Sequence, residues 1–225
     1  MTARQLSFDL PAIPALGRDD FYVSRSNAQA VALVEAWRNW PEGKLVIAGP
    51  RGAGKTHLAH VWAELSGARI LRAADLHTSV LPDLATRALA VEDADAIAGE
   101  NGGERALLHL HNMMQAERLP LLLTASLPPN RWSPVLADLA SRLQAIPTAA
   151  LQPPDDSLLA AVMMKLMSDR QLSPTPDTIP YLTRRIDRSF ESAHRVVEAL
   201  DRLSLETRRP INRVLAARVL DKTTP

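Results

Sequence analysis

The chain has no cysteine. That one absence excludes disulfides, thiolate zinc sites and cysteine nucleophiles, and it fits a reducing cytoplasm. Aromatic residues are only 4% of the 225, so any core has to be built from aliphatic side chains and alanine. Neither sign of charge is in excess: the formal net charge is +1, which argues neither for nor against a nucleic-acid partner. No apolar run has the length of a membrane span. The opening Met1-Thr2-Ala3-Arg4-Gln5-Leu6 lacks a signal-peptide core. A cytoplasmic protein without membrane association is expected.

Glycine is also scarce, at nine residues, yet Gly49, Gly52 and Gly54 fall together. Residues 49 to 57 read Gly49-Pro50-Arg51-Gly52-Ala53-Gly54-Lys55-Thr56-His57, which contains the phosphate-loop pattern G-x-x-x-x-G-K-T. The apolar Leu45-Val46-Ile47-Ala48 before it reads as a buried strand. Leu58, Val61, Trp62 and Leu65 after it recur at helical spacing on one face. In that context glycines let backbone N–H groups close around phosphate oxygens, and the helix N-terminus adds partial positive charge. Lys55 would reach the β- and γ-phosphates, and the Thr56 hydroxyl would ligate Mg2+. ATP or ADP is the expected cofactor.

Several further elements are expected. Residues 1–18 read as an extended arm. Ser26 or Asn27 caps a helix with Val31, Val34 and Trp37 on its apolar face, ended by Pro41-Glu42-Gly43. Further strands are expected at 69–73, 88–91 and 119–125, with a helix from Glu104 to Arg118 carrying Leu107, Leu108, His111 and Met114. Alternating strands and helices indicate a parallel sheet covered on both faces. After residue 151 no strand is evident, and four helices are expected at 157–170, 178–187, 190–206 and 211–220. The fold class is α/β: a phosphate-loop, parallel-sheet nucleotide domain over 19–151, then a small all-α lid over 152–225.

A phosphate loop needs a carboxylate for magnesium. Glu92 and Asp93 end the third strand, whose acidic end is expected beside the loop. Glu92 would reach the metal and Asp93 would orient attacking water. Thr124 and Ser126 close the fourth strand, where polar groups either face the ligand crevice or serve the turn before Pro128-Pro129. Arg142, after a short helix, either reaches a γ-phosphate on a neighbouring subunit or pairs with Asp138 at i, i+4. Six histidines show no metal-ligand spacing. Residues 151–225 hold 12 Lys/Arg against 10 Asp/Glu, a salt-bridged surface more than a DNA stripe.

Asp20-Phe21-Tyr22-Val23, Asn27, Gly49–His57, Glu92-Asp93, Leu121–Pro129 and Ser141-Arg142-Leu143 follow the order seen in the DnaA branch of AAA+ proteins. The pattern resembles that branch over residues 5 to 221. Gly-Lys-Thr-His and Leu123-Thr124-Ala125-Ser126-Leu127-Pro128-Pro129 carry much of the likeness. Within the branch the chain is similar to the Hda family of DnaA-related regulators. No dedicated DNA-binding domain is expected after the lid, and Gln5-Leu6-Ser7-Phe8-Asp9-Leu10 looks like a sliding-clamp docking peptide. Gln5 would hydrogen-bond, and Leu6, Phe8 and Leu10 would fill apolar pockets.

The resemblance implies a set of roles. Phe21, Tyr22, Val23 and Asn27 would line the adenine side. Glu92 and Asp93 match the Walker B acids, although the first is usually aspartate. Thr124 and Ser126 fall at sensor 1, and Arg142 at the box VII arginine finger. The sensor 2 arginine falls near Glu191, with Arg188 and Arg195 one turn to either side as substitutes. The implied partners are the DnaA initiator and the DNA polymerase sliding clamp (β subunit). The implied function is to stimulate hydrolysis of DnaA-bound ATP and so prevent re-initiation, with little or no ATPase of its own. The competing readings are an autonomous AAA+ ATPase such as a helicase loader, and a small-molecule kinase on the same loop.

Overall fold

A computed structural model describes residues 22–207 and 209–223. The arm with Gln5, Leu6, Phe8 and Leu10, and the adenine-side residue Phe21, lie outside the described residues.

Five strands, β1 (Lys44–Ala48), β2 (Arg69–Arg72), β3 (Leu89–Glu92), β4 (Leu121–Ala125) and β5 (Thr148–Ala150), form one parallel sheet in the order β2-β3-β4-β1-β5. β1 and β4 are buried along their whole length, as central strands covered on both faces require. Successive side chains of β1 divide between the two faces. Leu45 and Ile47 pack with Ala30, Val31 and Val34 of α1 (Ala28–Glu35) and with Leu58, Val61 and Trp62 of α2 (Lys55–Ser66). Val46 packs on the other face with Leu107, Leu110 and Met114 of α4 (Asn101–Ala116) and Leu139 and Leu143 of α5 (Ala137–Ala145). A short α3 (Leu81–Leu84) precedes β3. Trp40 and Trp62 stack with ring centroids 5.2 Å apart.

The remaining helices, α6 (Asp156–Asp169), α7 (Thr178–Thr183), α8 (Phe190–Thr207) and α9 (Arg213–Thr223), enclose their own core around Leu159, Met163, Leu182, Val197, Leu200 and Leu215. Asp155 caps α6, its carboxylate accepting from the Leu158 N–H at 2.8 Å.

The structure corrects several expectations. β5 was absent from the sequence reading: its three residues alternate exposed, buried, exposed and carry no apolar run. Leu65 is 43% exposed, since α2 buries a stripe through Leu58, Val61 and Trp62 that leaves Leu65 at its edge. Trp37 belongs to a separate 3-10 turn, Trp37–Asn39, after α1 has ended. Arg142 lies within α5, not after it. Asn27 sits at the start of α1 without capping it; its side chain turns back to the preceding segment.

Candidate functional site

The phosphate loop joins the carboxyl end of β1 to the first turn of α2. Gly49 donates to the Ala125 carbonyl at 3.1 Å, which ties the loop to the end of β4. Gly52 and Gly54 hold left-handed backbone, φ +75° and +96°, which glycine adopts without steric cost. Lys55 is buried, and its ammonium donates back to the Gly49 and Pro50 carbonyls at 2.8 and 3.1 Å. Burial pushes its pKa below the ordinary lysine value, while Asp93, Asp95 and Glu92 pull the other way. Arg51 extends outward, and the Thr56 hydroxyl residue is exposed in the first turn of α2.

β3 delivers the carboxylates. The Glu92 Oε1 is buried and has no hydrogen-bond partner, an expensive state for a carboxylate oxygen unless a ligand meets it. That oxygen fits the needs of Mg2+, which takes one or two protein oxygens and completes its shell from phosphate and water; Thr56, at the start of α2, is the residue that the loop pattern would add. Among the described residues no group of three His, Asp or Glu gathers for a metal. Asp93 takes φ +54°, and its N–H donates to the Thr124 hydroxyl at 3.1 Å. Thr124, 1% exposed, thus holds the acidic turn beside the end of β4. Asp95 does the same for the next turn, accepting from Ser126 N–H at 2.8 Å and Leu127 N–H at 3.3 Å. The sequence reading gave Asp95 no role.

Tyr22 and Val23 are exposed, and Asn27 is buried. Asn27 donates to the Tyr22 carbonyl and accepts from the Ser24 N–H, both at 2.8 Å. The Ser26 carbonyl accepts from Gln152, one residue after Leu151, whose N–H bonds the Ala48 carbonyl. The segment 22–27 thus stands at the same end of the sheet as the loop.

The lid docks on the loop. Phe190, the first residue of α8, donates its N–H to the Gly52 carbonyl at 2.9 Å. A Cβ at Gly54 would stand 2.8 Å from the Phe190 ring, and one at Gly52 would stand 2.6 Å from Ser189. Glu191 pairs with Arg51 at 3.0 Å. Arg188 pairs with Asp156 at 2.9 Å, and Arg195 donates to the Ser192 hydroxyl at 3.2 Å.

Arg142 is elsewhere. It lines a cavity of about 70 Å³ with Pro41, Glu42, Lys44, Ala145 and Ile146, and its Nε donates to Asp138 at 3.0 Å. Lys44 begins β1, whereas the loop follows its last residue. Five residues at about 3.3 Å rise put roughly 13 Å of strand between them. α5, and Arg142 with it, is fastened by Glu104. This fully buried carboxylate accepts from Gly99 at 2.6 Å, Val135 at 2.9 Å and Leu136 at 2.8 Å. Neither Lys44 nor Glu104 was singled out from the sequence, since a lone charged residue in an apolar run carries no local signal of its partners.

No family model matches the chain. Solved structures do share its fold. Domain III of the replication initiation protein DnaA of Thermotoga maritima superposes with TM-score 0.81, at 17% identity, over 95% of this chain and 98% of that one. AMPPCP-bound DnaA from Aquifex aeolicus gives TM-score 0.69 at 18% identity, over 83% of this chain and 64% of that one. The Thermotoga maritima RuvB Holliday junction branch migration motor gives 0.71 at 16% identity, over 92% and 72%. The chain shares the fold of these structures, a parallel α/β domain followed by a set of helices.

Proposed function

We propose that the chain is a nucleotide-binding regulator of replication initiation in the manner of the Hda family. It holds ADP or ATP with Mg2+ in its own loop and supplies Arg142 to ATP bound on the DnaA initiator. The observation that carries this reading is the position of Arg142. It stands with Lys44 at the amino end of β1, while the phosphate loop begins at the carboxyl end. An arginine there is out of reach of the nucleotide on its own loop and suits a nucleotide on a neighbour.

The proposal gives the residues of the chain the following roles. The loop amides and Lys55 would bind the phosphates. Thr56 and Glu92 would hold the metal, which would neutralise phosphate charge. Asp93, set by Thr124, would face the water side, with Ser126 next to it. Tyr22, Val23 and Asn27 would take the adenine side. Glu191, where an arginine would clasp the γ-phosphate, is an acid paired to Arg51. That arrangement supports little turnover in the chain's own site. Arg188 would need to leave Asp156, and Arg195 to leave Ser192, to replace it.

The arm segment Gln5–Leu10 would dock on the sliding clamp and bring Arg142 to the initiator. The test is hydrolysis of DnaA-bound ATP in the presence of clamp loaded on DNA. Deleting residues 5–10 is expected to abolish stimulation by the clamp-dependent route. Full stimulation by the deletion protein would overturn the docking role. One observation favours a second reading, an autonomous ATPase: the Glu92 Oε1 is buried without a hydrogen-bond partner among the described residues, as a carboxylate oxygen kept for a metal would be. Steady ATP turnover by the purified chain alone would decide for it.

A further inference from the structure

The cavity beside Arg142 contains a second cation. Lys44 is 1% exposed, and among the described residues its ammonium has one acceptor, Glu42 Oε2 at 3.3 Å, on a side chain 64% exposed. An ammonium carries three donors. A buried charge that is poorly paired costs stability unless something else meets it. Around it, Arg142 adds a second positive charge, and the neighbouring His111 is buried with its Nδ1 unpartnered. The acids that face the pair are Glu42 at the rim and Asp138, one turn before Arg142 on α5. Two cations therefore line the cavity against one lining carboxylate, Glu42.

We propose that Lys44 and Arg142 together form an anion site at the amino end of the sheet, built for the terminal phosphates of a nucleotide held by a neighbouring protein. This inference rests on Arg142 acting across an interface and adds a second residue to that action. Arg142 offers a planar fork to two phosphate oxygens, and Lys44 a point charge behind it. Glu42 competes with the phosphate for Lys44 and so acts as a rim group that an arriving anion displaces. The buried stem of Lys44 leaves its ammonium little freedom, so its charge is preorganised toward the cavity.

The probe is inorganic tripolyphosphate, titrated onto the full chain after its own loop has been saturated with Mg-ADP. One additional site is expected. Lys44→Met, which keeps the buried stem and removes the charge, should weaken it by about tenfold or more, and Glu42→Gln should tighten it. An affinity that neither variant changes, or no second site, overturns the proposal. If Lys44→Met fails to fold, the Glu42→Gln titration decides alone, since Glu42 lies on an exposed turn. The same variants are then assayed on DnaA-bound ATP. Loss of stimulation with Arg142→Ala but not with Lys44→Met would sink this inference and leave the reading of Arg142 standing. Stimulation intact in both would sink both.

Discussion

Arg51 of the phosphate loop and Glu191 of the lid helix α8 meet in a two-point ion pair, Nε to Oε2 at 3.0 Å and Nη2 to Oε1 at 3.2 Å. Both side chains are largely exposed, so the pair contributes less than about 1 kcal/mol to stability. Its importance is positional, because it ties a carboxylate to the loop that carries the phosphate-binding pattern. Glu191→Gln is expected to leave the denaturant midpoint nearly unchanged. Glu191→Arg is expected to raise the thermal shift produced by ATP more than that produced by ADP. Equal shifts for both nucleotides would show that position 191 does not face the γ-phosphate.

Gly54→Ala should separate lid from loop. The new methyl would meet the Phe190 ring at 2.8 Å, and φ +96° is hostile to any side chain. Backbone strain of this kind costs on the order of 1–2 kcal/mol, and the ring has to move as well. The expected result is a folded protein with nucleotide affinity reduced at least about tenfold, as 1.4 kcal/mol implies. Wild-type affinity in isothermal titration would contradict the close approach.

Glu104 is predicted to matter more to stability than any charged residue on the surface. Burial raises its pKa, but the Gly99, Leu136 and Val135 amides together outweigh that and hold it below the ordinary value. Glu104→Ala takes the acceptor from three partly buried N–H groups and should cost on the order of 2 kcal/mol. Urea unfolding measures this; a change under about 0.5 kcal/mol, the range of ordinary surface substitutions, would refute it.

His111 sets a pH dependence. Burial first, and the Lys44 charge second, push its imidazole from 6.5 to about 4. The unfolded chain takes up a proton near 6.5, and the folded chain does so only near 4. Between those values the unfolded state binds more protons, so stability falls as pH falls, by up to about 3 kcal/mol at the low end. His194 is lowered as well, chiefly by burial, and has the same sign. The difference between wild type and His111→Leu isolates the first contribution. That difference should shrink as pH drops from 6.5 to 4. A difference that does not vary with pH would show that His111 titrates normally.

The phosphate loop, its flanking strand and helix, and the acids after β3 were legible because each depends on a local pattern. Gly52 and Gly54 had to be glycine for backbone reasons, and Leu121-Leu122-Leu123 could hardly be other than a buried strand. β5 was not legible, because Thr148-Ala149-Ala150 is held only by its register against Val46, Ile47 and Ala48. The place of β4 between β1 and β3 is likewise a property of the sheet and of no single segment. Glu191 illustrates the same limit. The resemblance put the sensor 2 position near it, but its pairing with Arg51, 140 residues away, could not be read from the sequence. Lys44, one residue before the apolar run, gave no sign in the sequence that it is buried next to Arg142.

The central claim is that Arg142 acts on a nucleotide held by another protein. The most direct measurement loads DnaA with γ-labelled ATP, adds unlabelled ATP in excess, and follows release of labelled phosphate with clamp on DNA. With the wild-type chain, release should accelerate strongly. With Arg142→Ala it should fall back by about 10³-fold or more toward the rate of DnaA alone, while the variant still binds its own nucleotide with wild-type affinity. Release by Arg142→Ala at the wild-type rate would contradict the account.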